Sequence, residues 1–539
     1  MRRVVIIGGG ITGLAAAHRI LERNEESREQ VDITLLEATA RVGGAVQTRE
    51  RDGFLLECGP DSFISEKPAT LELVRRLGLE PHLIKTRKDH RRSFIVRHGR
   101  LLPVPEGFYL LAPARFWPFV TSGIFSWPGK ARMAMDLLLP RRSLNGDADE
   151  SLAQFVRRRL GHEALERMAQ PMIGGIYTAD PEHLSLRATM PRFLEMERTH
   201  RSLIRAVWKQ RRNPTVRESS FGRSPTVREG SVERSVGEGS SVSEDFVTEG
   251  AAGEQVVSGA RYSLFLSFDR GMQLLTDKLE ERISNLKSQI SSLKSQITDD
   301  VPSSQIAIRV NTSVESLTLE RATSGHDLSL QWKARTSRNE TLAADAICLA
   351  LPAAASARLL RDFDHRLASE LDAISYASSA TINLAYRRED IPHPLDGFGF
   401  VVPFIEKRSL MACTFSSVKF AHRAPAGCEL LRAFVGGALQ PEMMALPEAE
   451  LISYIRADLN ALLGIERPPL FTEVSRWEQS MPQYSVGHVE RVKRIRERVA
   501  SLPRLALAGN AYSGVGIPDC ILSGESAADE LIDALSANR

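Results

Sequence analysis

The sequence predicts an α/β fold whose parallel sheet is assembled from distant parts of the chain, and three stretches predict it. "RRVVIIGGGITGLAAAHRILE", from Arg2, reads as an apolar strand, a glycine turn and a helix. "VDITLL", Val31 to Leu36, follows as a second apolar strand. "RLALAGNAYSGVGIPDC", from Arg504, repeats strand and glycine turn roughly five hundred residues later, with a helix expected from about Cys520. Together they describe a Rossmann-like core to which the end of the chain returns.

At 539 residues the chain exceeds what a single core supports, so two or more domains and room for a large buried cofactor are expected. Lysine plus arginine number 70 against 67 acidic residues, a balance that argues against general nucleic-acid binding. The five cysteines (Cys58, Cys348, Cys413, Cys428 and Cys520) are widely spread and form no CxxC pair, so neither a disulfide framework nor a metal site is expected. A strand beginning at Arg3 leaves no room for the apolar core of a signal peptide, and a cytoplasmic location is expected.

The first turn carries the chemistry. In G-x-G-x-x-G, Gly8 permits the tight bend, Gly10 lets the main chain approach a pyrophosphate, and Gly13 allows helix to pack on strand. Ile11 and Thr12 begin the helix whose free N–H groups and positive dipole end face the phosphates. The second strand ends in Glu37, followed by Ala38, at the spacing where an acid meets ribose hydroxyls. A bare glycine turn also occurs for steric reasons alone; this context favours a dinucleotide.

After Glu37 comes "ATARVGGAVQT", in which Arg41, Gly43 and Gly44 form a second glycine turn. This arrangement resembles the flavin-dependent amine oxidase and protoporphyrinogen oxidase superfamily. The segments "GPDSFISEK", "PMIGGIYTADPEHLSLRATMPRF", "FLSFDRGMQLL", "WEQSMPQYSVGH" and "GVGIPDC" narrow it to the protoporphyrinogen oxidase family, in that family's order, over nearly the whole chain. One departure is Arg270, which stands where the family commonly has a glycine before Met-Gln.

The resemblance implies non-covalent FAD held by the residues above together with Arg41, Gly43, Gly44, Gly59, Pro60, Asp61, Ser62, Val314, Trp477, Gly509, Val515, Gly516 and Ile517. The main chain from Gly514 to Ile517 would meet the flavin pyrimidine edge, where the positive end of the following helix favours the charge of a reduced ring. It further implies oxygen-dependent removal of six electrons from protoporphyrinogen IX, with coproporphyrinogen III as the alternative substrate. A carbonyl at Gly175 would lie near that substrate, Arg97 would grip a propionate, and Phe398 would wall the ring slot. Glycine at 175 is equally explained by a tight turn needing positive φ. His488 is expected to form structural hydrogen bonds, and Tyr484 to pack. Ferrochelatase, a second copy of the chain and the inner face of the cell membrane are the partners the resemblance admits. An amine oxidase or carotenoid desaturase is the alternative enzyme class, and a flavin-free prenyl-binding escort protein the non-enzymatic one.

Between Ile95 and Met133, prolines interrupt an aromatic stretch that has no spanning length. Trp117, Phe119, Phe125 and Trp127, flanked by Arg115, Lys130 and Arg132, suit either a headgroup-level patch or packing between helices, and the resemblance favours the former. Residues 213–259 are polar, contain "PTVRE" twice and read as a disordered insertion. Leu279, Ile283, Leu286, Ile290, Leu293 and Ile297 form a heptad stripe that extends a helix by packing on its neighbour. The expected organisation is an FAD domain of two α/β layers built from 1–88, 260–360 and 500–539, a substrate and helical membrane-facing part at 89–210, and an antiparallel substrate-binding domain at 361–499.

Overall fold

The computed structural model describes residues 2–27, 31–105, 108–109, 112–113, 115–141, 149–212, 265–294, 306–324 and 327–537. The insertion expected at 213–259 and Ile297 of the heptad lie outside them. In chain order, β1 (Arg2–Ile7) leads into α1 (Ile11–Ser27) and β2 (Val31–Leu36), then the hairpin β3 (Thr48–Arg51) and β4 (Phe54–Glu57). Strands β5 (Phe94–Arg97) and β6 (Arg100–Pro103) precede helices α2 (Gln170–Tyr177) and α3 (Gln273–Lys294). Next come β7 (Ile306–Arg309), β8 (Val314–Ser324), β9 (Asp327–Thr336), β10 (Thr341–Ala344) and β11 (Ala346–Leu349). Strands β12 (Tyr376–Arg387), β13 (Gly399–Val401), β14 (Ala412–Phe415), β15 (Cys428–Gly436) and β16 (Phe471–Pro482) follow, and β17 (Leu505–Leu507) leads into α4 (Ile517–Ser536).

The parallel sheet runs β7-β2-β1-β11-β17, so the early strands are flanked by strands from the middle and far end of the chain. Helix α4 starts at Ile517, three residues before the expected Cys520, because Pro518 is tolerated in a first turn. Two layers do not suffice. Val4 and Ile6 of β1 face the helices α1, α3 and α4, where Leu279 and Ile283 of the predicted stripe are buried. Val5 and Ile7 point the other way, onto Leu317 and Trp332 of the antiparallel sheet β8-β9-β10. A parallel strand that is apolar on both faces needs cover on both, hence a third layer.

The second sheet has seven strands in the order β16-β12-β15-β14-β13-β5-β6, antiparallel except where β13 meets β5. Ala380, Ile382 and Leu384 of β12 pack with Leu451, Ile455 and Leu459 of the helix Glu448–Leu463 in one core. The intervening residues face the opposite way, toward the β3–β4 hairpin.

The aromatic stretch divides into packed and exposed residues. Phe119 and Phe125 pack on Phe108 and on each other at centroid distances of 5.9 to 6.4 Å. Trp117 and Trp127 are 72% and 70% exposed. The flanking cations differ from expectation: Lys130 is buried and donates to Val120 O (2.6 Å), and Arg132 donates to the carbonyls of Arg157, Arg158 and Arg159. Both cations are turned inward to satisfy main-chain oxygens near helix ends. Among the described residues no helix is long and apolar enough to cross a membrane.

Candidate functional site

Gly8, at φ +109°, bends the chain from β1 into α1, and its N–H donates to Leu36 O at 2.8 Å. The second glycine turn is fastened to the first: Gly43 N–H donates to Gly9 O (2.8 Å), and Gly10 bridges Gly43. A Cβ placed on Gly10 would meet nothing within 4 Å, so open space lies before the first turn of α1, where Ile11 and Thr12 are buried. A cradle of this kind, rimmed by the exposed Gly44 and backed by unpaired helix N–H groups, suits a pyrophosphate. Glu37 stands beside it. Its Oε2 accepts from Gly9 N–H (2.7 Å), and its Oε1 accepts from both Thr39 N–H and Oγ1 (2.8 Å each). Ala38 is exposed next to it, and Thr312 N–H donates to Glu37 O (2.8 Å), which brings the start of β8 at Val314 to the same corner. Arg41 spends both terminal nitrogens inside its own loop, on Val42 O, Val46 O and Gly44 O. It shapes the glycine turn from within.

The next wall is Gly59–Ser62. A Cβ on Gly59 would sit 1.7 Å from Ala45 O, so the two main chains touch. Pro60 follows half-buried, and Asp61 is fully paired, accepting from Lys419 Nζ (2.8 Å) and Ser62 Oγ (2.6 Å). Burial alone would raise the Asp61 pKa, but Lys419 and Arg432 hold its carboxyl far below the ordinary carboxylate range. Trp477 donates from Nε1 to Cys58 O at 2.9 Å.

The returning end of the chain supplies the third wall. Gly509 N–H donates to Ser523 Oγ (3.0 Å), and Gly514 stands at φ +153°. Val515 and Gly516 follow half-buried, and Ile517 opens α4. Tyr484 does more than pack: its hydroxyl donates to Asn510 O (2.5 Å) and accepts from Gly514 N–H (2.8 Å). Its ring stacks on His488, whose pKa burial lowers to about 4 and whose Nε2 lies 3.3 Å from Tyr512 O, the structural part expected of it. The sequence reading missed Asp519, which accepts from Gly516 N–H (3.2 Å) and Lys67 Nζ (2.7 Å) and so ties α4 to the segment after Ser62. Its position three residues into α4 was the available signal.

A narrow cleft lies between α2 and the seven-stranded sheet. Gln170, Gly174 and Thr178 line one side, and Val402, Leu410, Met411 and Gln440 the other. Arg408 lines it, with Nη1 3.0 Å from Asp458 Oδ1, and among the described residues no carboxylate, imidazole or thiol does. Gly175 lies one residue along, in the last turn of α2 and not in a positive-φ turn; left-handed Thr178 stops the helix. Gly174 O accepts from Thr178 N–H, and Tyr177 O from Gln483 Nε2. No described hydrogen bond ends on the Gly175 carbonyl, and a Cβ there would meet nothing within 4 Å. Gly175 thus adjoins the lining without being part of it, and the other two predicted residues also stand outside. Phe398 is 3% exposed, its N–H bound to Arg92 O (2.8 Å). Arg97 is bonded to Gly123 O, with Nη2 3.9 Å from Glu163.

The chain is similar over nearly its whole length to known proteins. The family model for flavin containing amine oxidoreductase matches residues 11–532. A coproporphyrinogen III oxidase of Bacillus subtilis (strain 168) is 34% identical, over 99% of this chain and 98% of its own length. One from Propionibacterium freudenreichii is 35% identical, over 99% and 91%. The chloroplastic protoporphyrinogen oxidase of Nicotiana tabacum is 29% identical, over 99% and 86%. A crystal structure from Exiguobacterium sp. 255-15, provisionally described as a protoporphyrinogen oxidase, superposes with a TM-score of 0.76 at 28% identity, covering 99% of both chains.

Proposed function

The chain belongs to the flavin containing amine oxidoreductase family and is an FAD-dependent oxidoreductase; from that premise we propose that it oxidises a porphyrinogen to the porphyrin, with coproporphyrinogen III preferred over protoporphyrinogen IX. This reverses the order expected from sequence motifs alone. The observation that carries it is the 34% and 35% identity, over nearly full length, to two coproporphyrinogen III oxidases. Gly10, Gly44, Glu37 and the start of α1 would hold the dinucleotide end of FAD, and Gly59–Ser62 with Gly514–Ile517 the ring. Bound FAD would supply two-electron acceptance and reoxidation by oxygen, the six electrons of the overall oxidation being balanced by three hydrogen peroxide molecules per porphyrin.

The chain's own contribution is placement. Arg408, which keeps its bond to Asp458, is the cation at the cleft and is proposed to meet a propionate at its mouth. With no titrating side chain in the lining, a departing proton leaves to water or along the Gly175 carbonyl, whose open oxygen accepts a hydrogen bond without a side chain. The face bearing Phe116, Trp117 and Trp127 is proposed to rest on a lipid surface, which their exposure supports.

The test is turnover. FAD-loaded protein is given each porphyrinogen, and porphyrin fluorescence and peroxide are followed. The expected result is a kcat/KM about tenfold or more higher for coproporphyrinogen III. Turnover of protoporphyrinogen IX alone would reverse the preference, and turnover of neither would end the reading.

A further inference from the structure

We infer that Thr381, Asn383, Arg432 and Trp477, all on the seven-stranded sheet, are positioning residues that fix the main chain of Glu57–Gly59 and through it the loop Gly59–Ser62. The inference rests on the reading that this loop lies against FAD. Three consecutive carbonyls are gripped. Asn383 Nδ2 donates to Glu57 O (3.1 Å), Thr381 Oγ1 and Trp477 Nε1 both donate to Cys58 O (2.7 and 2.9 Å), and Arg432 Nη2 donates to Gly59 O. Cys58 O thereby has both lone pairs filled.

These donors come from three adjacent strands. Thr381 and Asn383 alternate along β12 with Ala380, Ile382 and Leu384, which pack into the core on the other side. In the β12 register Asn383 stands opposite Arg432, and no hydrogen bond joins their side chains among the described residues. Asn383 Oδ1 and Arg432 Nε are buried without a hydrogen-bond partner, while the remaining nitrogen donors reach across to the loop. A buried polar atom left unmet opposes folding, so this arrangement favours the loop contact over local satisfaction. The loop it fixes also touches Ala45 O through Gly59, so the sheet that borders the substrate cleft is joined to the flavin cradle by four hydrogen bonds. Transfer between two bound partners depends steeply on their separation, and these bonds set it.

The experiment uses FAD-loaded protein carrying Thr381→Val, Trp477→Phe or the conservative Thr381→Ser, each made separately so that one unstable variant does not decide the matter. Amide exchange across residues 57–62 (all but Pro60, which has no N–H), the visible flavin spectrum and the rate of flavin reduction by coproporphyrinogen III are measured. In T381V and W477F, exchange at 57–62 is expected to rise about tenfold, the worth of roughly one buried hydrogen bond. The flavin bands should shift, and reduction should slow about tenfold with KM within twofold, whereas T381S stays within twofold of the parent in all three. Unchanged exchange overturns the inference, as does faster exchange with an unaltered spectrum and reduction rate. If the parent turns over no porphyrinogen but exchange and spectrum still respond, the positioning role stands and the substrate assignment falls.

Discussion

Glycines 10 and 13 occupy equivalent-looking places in one motif but meet different neighbours. A methyl on Gly13 would lie 1.9 Å from Gly8 O, whereas one on Gly10 would meet no protein atom within 4 Å. Gly10→Ala should therefore leave the melting temperature of the flavin-free protein within a few degrees while weakening FAD binding at least tenfold, as read by flavin titration. Gly13→Ala should not yield folded protein at all. A soluble G13A variant that binds FAD normally would refute the close-packing argument. His488 makes a second prediction. Its native pKa of about 4 lies below the unfolded value of 6.5, because burial favours the neutral ring. Above pH 6.5 neither state takes up a proton there. As pH falls from 6.5 to 4 the unfolded chain alone protonates, so stability is lost at roughly 1.4 kcal/mol per pH unit, about 3 kcal/mol in all. Denaturation midpoints across that window should flatten in His488→Gln; an equally steep profile in the variant would remove His488 as the cause.

Helices α1 and α4 are in contact through a glycine that no motif marks. A Cβ at Gly524 would stand 2.2 Å from Thr12 O, in the first turn of α1, and Arg19 and Arg23 pair with Asp529 and Asp533 further along. Gly524→Ala must part the helices where the pyrophosphate cradle begins. The expected outcome is a melting temperature lower by several degrees, with reduced flavin content per protein by absorbance; retention of both would place slack between the helices. Elements of this kind divide what a sequence reveals from what it hides. The unit β1-α1-β2 was legible because its strands pair with near neighbours and its glycines serve local steric needs. The seven-stranded sheet was not, since the β5–β6 hairpin joins it through β13, a strand that begins 305 residues after β5 does (399 − 94), and no local period carries that register. Gly175 was read as a turn as readily as anything else, yet packing of Ile173 and Gly174 overrides glycine's poor helix propensity and keeps it helical. The role of Tyr484 was hidden for the same reason, its partners Asn510 and Gly514 lying 26 and 30 residues on, whereas Asp519 caps its own helix and carried a local signal.

At the scale of the molecule, the exposed aromatics make a specific forecast. Because Lys130 and Arg132 are engaged with internal carbonyls, any lipid contact through Trp117 and Trp127 would come from apolar burial and little from charge. Co-sedimentation with neutral vesicles is expected to match that with anionic ones, and the double variant Trp117→Ser, Trp127→Ser to lose at least tenfold in binding. Dependence on anionic lipid would point to other residues. The order of the parallel sheet has a temporal consequence. Strand β17 and helix α4 are synthesised roughly 500 residues after β1. Strand β11 ends at Leu349 and its edge partner β17 begins at Leu505, 156 residues later, so at about 5–20 residues per second a translating ribosome leaves the outer edge of β11 bare for roughly 10 to 30 seconds. Throughout that interval the pocket lacks its third wall, so the nascent polypeptide must be kept from aggregating at an open edge, and cofactor capture awaits the emergence of Gly514–Ile517 from the exit tunnel.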